Sequence, residues 1–299
     1  MPRPELKNAP AADGFIIVAV LWILAALAAL ASVYAVYVAN TAMAARVYDS
    51  RLQTEALIAA GLELTAYRLS GFEDVSRPTS GAFDFDLGRS HVDVAFRSEG
   101  ARIDLNLAPK ELLSGLCVVL GAKREDADSY ADRIVAWRTK PGPGNQNQEA
   151  EAYKSAGLNY GPRQAPFQNA AELRLVRGLP AALVDNALPF VTVFNGRAEI
   201  DVNEAAPEVV AALPRMSPNV VEAILERRDP QNPQAVLSLL GAAAPSVAIG
   251  GRKATRAAVH ITLDTGRKVN ADAVLLITEN NNPEPYRILA WHDDFDGPV

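Results

Sequence analysis

Cysteine is nearly missing from the 299 residues. Cys117 is the single thiol, so neither an intramolecular disulfide nor a cysteine-ligated metal cluster can form. Its setting, Gly-Leu-Cys-Val-Val-Leu-Gly, suits a small buried apolar residue. Histidine is scarce too. His91 and His260 lie in strand-like alternation and His292 follows such a run. No Gly-x-Ser-x-Gly, His-Glu-x-x-His or glycine-rich phosphate loop accompanies them, so no enzyme is expected. Basic excess is absent as well: 29 Lys and Arg face 35 Asp and Glu, a formal charge of −6. The general attraction that drives non-specific nucleic-acid binding is therefore not available.

Charge itself is lacking from residues 15–39, "FIIVAVLWILAALAALASVYAVYVA". As a helix this run is about 37 Å long, enough to cross a hydrocarbon core of about 30 Å with some tilt. It is too long for the apolar region of a simple cleaved signal. Arg3 and Lys7 precede it and Arg46 and Arg51 follow it, so the cations leave its orientation open. The polar leader, residues 1–14, ends abruptly at Asp13-Gly14, and apolar sequence starts at once with Phe15. This boundary resembles a type IV prepilin leader. The resemblance implies cleavage after Gly14 by a prepilin peptidase and methylation of Phe15. Pilin-like chains usually carry Glu as the fifth mature residue; here that residue is Ala19. A carboxylate inside a bilayer needs a partner, and a chain with Ala cannot make that pair.

Residues 40–69 continue without proline, and Ala56, Ala60, Leu64 and Tyr67 fall at helical spacing. They are expected to face a folded domain. Residues 82–97 alternate as two strands around Gly88-Arg89, and a third strand leads into Ile103 and Leu105. Near the other end, 256–264, 271–278 and 286–292 read as an antiparallel meander. The fold class is α+β: a type IV pilin-like long N-terminal transmembrane helix on an antiparallel sheet. A large all-α domain is inserted into it.

That insert repeats itself. "RIDLNLAPKELLSGL" aligns with "EIDVNEAAPEVVAAL" without a gap, 97 residues on. Ile103, Asp104, Asn106 and Glu111 match Ile200, Asp201, Asn203 and Glu208. Ile is expected to be buried. Asp and Asn can bond nearby backbone at a strand-to-helix turn, and Glu suits the start of a helix. "ADRIVAWR" then matches "VEAILERR". The first copy is enlarged around "TKPGPGNQNQEAEAY" (139–153), a segment expected to stay out of the core. The units are SAM-like or helix-hairpin-helix-like. One reading is therefore a membrane-anchored helix-hairpin-helix receptor for DNA uptake. Such hairpins hold phosphate on a Gly-apolar-Gly turn, which neither "GLCVVLGAKREDAD" nor "ALPRMSPNV" contains.

"RIDLNLAPKELL", "ADRIVAWR", "FQNAAELRLVRGLPAALVDNALPFVTVFNG", "EIDVNEAAPEVV" and the closing "YRILAWH" together resemble the type II secretion minor pseudopilin K family. The resemblance implies a structural protein of the pseudopilus tip that supports export of folded proteins across the outer membrane. It implies single-pass anchoring in the inner membrane, with the C-terminal domain periplasmic. The implied partners are minor pseudopilins I and J, the major pseudopilin and the prepilin peptidase, with no nucleic acid. It accounts for Ala19, since the family generally lacks the membrane glutamate. No cofactor is required. Some family members bind calcium, for which Asp132, Glu149 and Glu151 are the candidates here; Thr139 stands where the family often has Asp. The expected divisions are 1–14 leader, 15–39 transmembrane, 40–105 pilin-like helix and first strands, 106–250 inserted domain (repeats at about 102–190 and 199–245) and 251–299 closing strands.

Overall fold

The computed structural model describes residues 13–73, 76–142, 148–229, 232–250, 254–278 and 284–293. Leader residues 1–12 lie outside the described residues. The chain divides into two compact units, 1–56 and 57–299.

The first unit is helical. Helix α1 runs Asp13–Ser70 and enters the second unit at Leu57. Trp22, Leu30, Val33 and Tyr34 are exposed along it. Among the described residues it is the one helix long and apolar enough, by length and composition, to cross a membrane. Two of its aliphatic hydroxyls are satisfied within the helix: Ser32 Oγ donates to Ala28 O and Thr41 Oγ1 to Tyr37 O, each at 2.8 Å. Such internal pairing removes the cost of a lone polar group in hydrocarbon.

The second unit holds a five-stranded antiparallel sheet. Strands β1 (Ser80–Leu87) and β2 (Ser90–Ser98) form a hairpin about Gly88, whose φ is 67°. β3 (Ile103–Asp104) and β4 (Val191–Thr192) pair in parallel and stand apart from it. The expected third strand at Ile103 therefore does not extend the hairpin; it pairs with a segment some ninety residues later. The meander follows as β5 (Ala254–Thr262), β6 (Lys268–Ile277) and β7 (Tyr286–Asp293), in the order β1-β2-β5-β6-β7. Ser98 at the end of β2 pairs with Thr255 at the start of β5. The intervening chain thus leaves and re-enters the sheet at neighbouring points, which is why so large an insertion leaves its ladder intact.

One end of α1 covers this sheet. Leu57, Ile58, Leu62, Ala66 and Leu69 are buried with Val92, Val94, Val259 and Leu275 in one core. This corrects the expected stripe: Ala56 and Tyr67 are exposed, and Ala60 and Leu64 are half-buried. The inward face is instead the stripe of Leu57, Ile58, Leu62, Ala66 and Leu69, with Gly61 and Thr65 between them. A Cβ on Gly61 would lie 3.2 Å from Val94 Cγ2, so the missing side chain sets how closely helix and sheet approach. Thr65 closes its own hydroxyl on Gly61 O at 2.7 Å.

Between β2 and β5 the chain is mainly helical: α2 (Lys110–Val119), α3 (Arg124–Arg138), α4 (Gln148–Ser155), α5 (Ala181–Ala187), α6 (Pro207–Ala211) and α7 (Pro218–Glu226). Ala170–Leu175 and Pro233–Leu239 are 3₁₀ turns. They surround a second core that includes Leu112, Trp137, Ile200 and Ile224. The enlargement at 139–153 is not all loop. α4 starts within it, and Tyr153 is 1% exposed, 6.2 Å from the Trp137 ring. One aromatic anchor outweighs the polar composition around it. Residues 143–147 of that segment lie outside the described residues.

Candidate functional site

The duplicated signature is a hydrogen-bonded frame built twice. Ile103 pairs in parallel with Val191, and Ile200 bridges Val247 in parallel. Asp104 Oδ1 accepts Asn106 N at 2.8 Å, and Asp201 Oδ1 accepts Asn203 N at 3.0 Å. Ala108 N and Ala205 N donate to Asp104 O and Asp201 O, both at 2.9 Å. The last arginine of each hairpin closes the frame. Arg138 donates to Leu105 O and to Ala108 O (2.7 Å), and Arg228 donates to Ala205 O at 2.6 Å. Burial raises the Asp104 carboxyl above its ordinary pKa, while the N–H groups of Gly196 and Asn106 pull it back. Burial also lowers the Arg138 and Arg228 guanidiniums. Glu111 and Glu208 lie in the first turns of α2 and α6, as the dipole argument expects.

The asparagines reach much further than their local turn. Asn106 Oδ1 accepts Phe167 N at 2.6 Å and its Nδ2 donates to Phe167 O at 3.0 Å. Asn203 Nδ2 donates to Pro233 O at 3.1 Å. Proline has no N–H to return. Asn203 Oδ1 is accordingly buried without a partner among the described residues.

The two copies meet back to back. Gly115 and Ala212 hold the same place in their copies, and a Cβ on Gly115 would fall 2.1 Å from Ala212 O. The hairpins α2–α3 and α6–α7 then flank a groove of about 1280 Å³.

Two carboxylates unforeseen from the sequence tie the helical part to the sheet. Glu99, 1% exposed, accepts from Thr192 Oγ1 and from Arg256 Nε at 2.7 Å. Arg256 also bonds Asp272 on β6. Glu204 Oε1 accepts Thr79 Oγ1 at 2.8 Å and Ser80 Oγ at 3.0 Å. The Glu99–Arg256 pair spans 157 residues, so no local signal marks it.

The calcium candidates are each engaged by a cation. Asp132 meets Lys110 Nζ at 2.6 Å, Glu149 meets Arg177 at 3.7 Å and Glu151 meets Lys154 at 2.9 Å. Among the described residues no three acidic, histidine or cysteine groups come together as a metal site. Cys117 is buried and its thiol is pushed up to about 11 by desolvation, which makes it unreactive. The backbones of Gly14, Phe15 and Ala19 lie in α1.

Residues 98–196 match the family model described as type II secretion system (T2SS), protein K. The match begins at the end of β2 and closes just before the second copy of the signature. The type II secretion system protein K of Pseudomonas aeruginosa is 30% identical over 115 residues, 38% of this chain and 34% of that protein. The aligned stretch thus spans about a third of the relative's length. In three dimensions, a chain of the GspK–GspI–GspJ complex from the enterotoxigenic Escherichia coli type 2 secretion system aligns with a TM-score of 0.57. It is 16% identical, and the alignment covers 82% of this chain and 96% of that one, a likeness of fold.

Proposed function

We propose that this chain, whose residues 98–196 match the type II secretion system protein K model, is a member of that family and a minor pseudopilin that starts and caps the pseudopilus at its tip. The observation that carries this reading is the position of the family-matched segment. It is inserted between β2 and β5 of an antiparallel sheet that is covered by the end of a long apolar helix. The reading includes anchoring in the inner membrane through α1, with the sheet and helical part in the periplasm. It includes partnership with minor pseudopilins I and J, which the related complex names, and with the major pseudopilin.

Ala19 and the bulk of the insert favour the tip. A filament grows through heterologous contacts that do not close, and a subunit missing one contact ends the series. With Ala19 there is no membrane carboxylate to receive the amino terminus of a subunit above. Gly14 and Phe15 are proposed as the processing site of the prepilin peptidase. The carboxylates of the groove disfavour a phosphate-binding role for the same hairpins.

The test is genetic and chemical together. Deleting the gene is expected to abolish appearance of folded exoproteins in the medium, with the wild-type chain restoring it. Membrane-extracted protein is expected to begin at methylated Phe15 by intact mass and to co-purify with I- and J-type pseudopilins. Undiminished secretion in the deletion strain would sink the reading. An intact Met1 start would remove the processing step alone.

A further inference from the structure

The groove between the two hairpins has no part in the frame or in the joints to the sheet. Its floor is mostly apolar, formed by Gly115, Val118, Leu213, Met216, Val221 and Leu225. Its rim is acidic. Glu111, Glu208, Glu222 and Glu226 line it, and none of the four carboxylates makes a hydrogen bond or ion pair among the described residues. Asp128 stands there too, held by Ser114 Oγ at 2.5 Å. Arg124 and Arg215 are the cations against these five acids. The carboxylates elsewhere in the helical part that the calcium reading singled out are each paired, so a concentration of unpaired acids here marks a surface left open.

We propose that this groove docks a cationic amphipathic helix of another protein. Three observations choose that occupant. A volume of about 1280 Å³ exceeds the roughly 300–1,000 Å³ of ordinary small-ligand pockets. The unpaired carboxylates repel phosphate backbones and call for lysine or arginine. The apolar floor beneath an acidic rim is the complement of a helix with one apolar and one basic face. A second copy of this chain is the poorer fit, since its net charge is −6. Glu111 and Glu208 hold equivalent places in the two copies of the signature and both line the groove, so each hairpin offers a carboxylate to a basic helix. The apolar floor supplies affinity, while the exposed carboxylates supply selectivity and rate.

The test uses the full chain in non-ionic detergent. The probe is a fluorescent peptide of Leu at i, i+3, i+4 and i+7 with Lys between, carrying one photo-crosslinker. Saturable binding is expected, with crosslinks on α7 and around Met216. E208Q/E222Q/E226Q together are expected to weaken binding about fivefold or more, because exposed pairs are individually weak. Glu222 and Glu226 are exposed, so the thermal midpoint of E222Q/E226Q is expected to stay unchanged, and that double variant is expected to weaken binding in the same direction. Glu208 is half-buried at the start of α6, so the triple variant is compared at a temperature well below its own midpoint. A Leu→Ser probe of equal charge is expected to bind at least about tenfold more weakly, as its apolar face is gone. Equal binding by the triple variant, equal binding by the Leu→Ser probe, or crosslinks confined to α1 would each overturn the proposal. Saturable binding of labelled duplex DNA to the full chain without the peptide, lost in E208Q/E222Q/E226Q, would overturn the proposal and assign the groove to nucleic acid. Dimerisation blocked by the probe would assign it to a second copy.

Discussion

Asn106 and Asn203 hold the same place in their copies but carry different loads. Asn106 satisfies both backbone groups of Phe167, whereas Asn203 satisfies only the carbonyl of Pro233. An orphaned buried donor or acceptor costs about 1–3 kcal/mol. Asn106→Ala is therefore expected to destabilise by about 2–4 kcal/mol and Asn203→Ala by about half as much, read as a shift in denaturant midpoint at constant slope. At the hairpin tip, His91 Nδ1 meets Asp86 Oδ1 at 2.7 Å, and that hydrogen bond raises the imidazole pKa above 6.5. The folded value is the higher one, so the support is complete below 6.5 and is lost as pH rises through the folded pKa. An NMR titration is expected to show His91 titrating above the ordinary value. Asp86→Asn is expected to bring it down, and an unchanged pKa in that variant would refute the assignment.

Glycine at an element interior has opposite consequences in two helices. Exposed helical Gly→Ala ordinarily gains about 1 kcal/mol. In α2 the new Cβ would sit 2.1 Å from the Ala212 carbonyl oxygen, a backbone atom that cannot rotate away. Gly115→Ala is thus expected to force the two copies apart and to cost about 2–4 kcal/mol, in the range of strained core insertions. In α1 the new Cβ of Gly61→Ala would meet valine methyls at 3.2 and 3.3 Å, which can yield slightly. There the propensity gain and the crowding nearly cancel, to within about 1 kcal/mol. Thermal melts of the two variants side by side check this, and equal losses would mean that the Gly115 contact is not tight.

Glu99 is where the molecule acts as a whole. It is the buried end of a chain from β4 through Arg256 to Asp272, so it couples the helical cluster to the sheet. Breaking a buried charge pair from one side costs roughly 3–5 kcal/mol. Glu99→Ala is expected to lose about that much and to separate unfolding of the two cores. Trp137 lies in the helical core and Trp291 on β7, so in a Trp22→Phe background Trp137→Phe and Trp291→Phe each leave a single reporter, one per part. Coincident transitions in the Glu99→Ala protein would show that packing alone carries the coupling.

The sequence by itself determined what rests on local periodicity and on contiguous composition. That includes the apolar span of α1, the alternating strands of the hairpin and meander, and the Ile-Asp-x-Asn frame, whose Asp-to-Asn bond closes within two residues. It placed the inward face of α1 on another stripe, because Ala56, Ala60, Leu64 and Tyr67 share the same spacing as the buried Ile58, Leu62, Ala66 and Leu69. It also did not mark Gly61 and Thr65, which pack by being small. It left Tyr153 outside the core because the residues around it are polar. Only the tertiary structure could join Glu99 to Arg256 and Asn106 to Phe167, or set Gly115 against Ala212. Those contacts bridge residues far apart in the chain, and a side chain carries no mark of its partner until both elements have been folded into place.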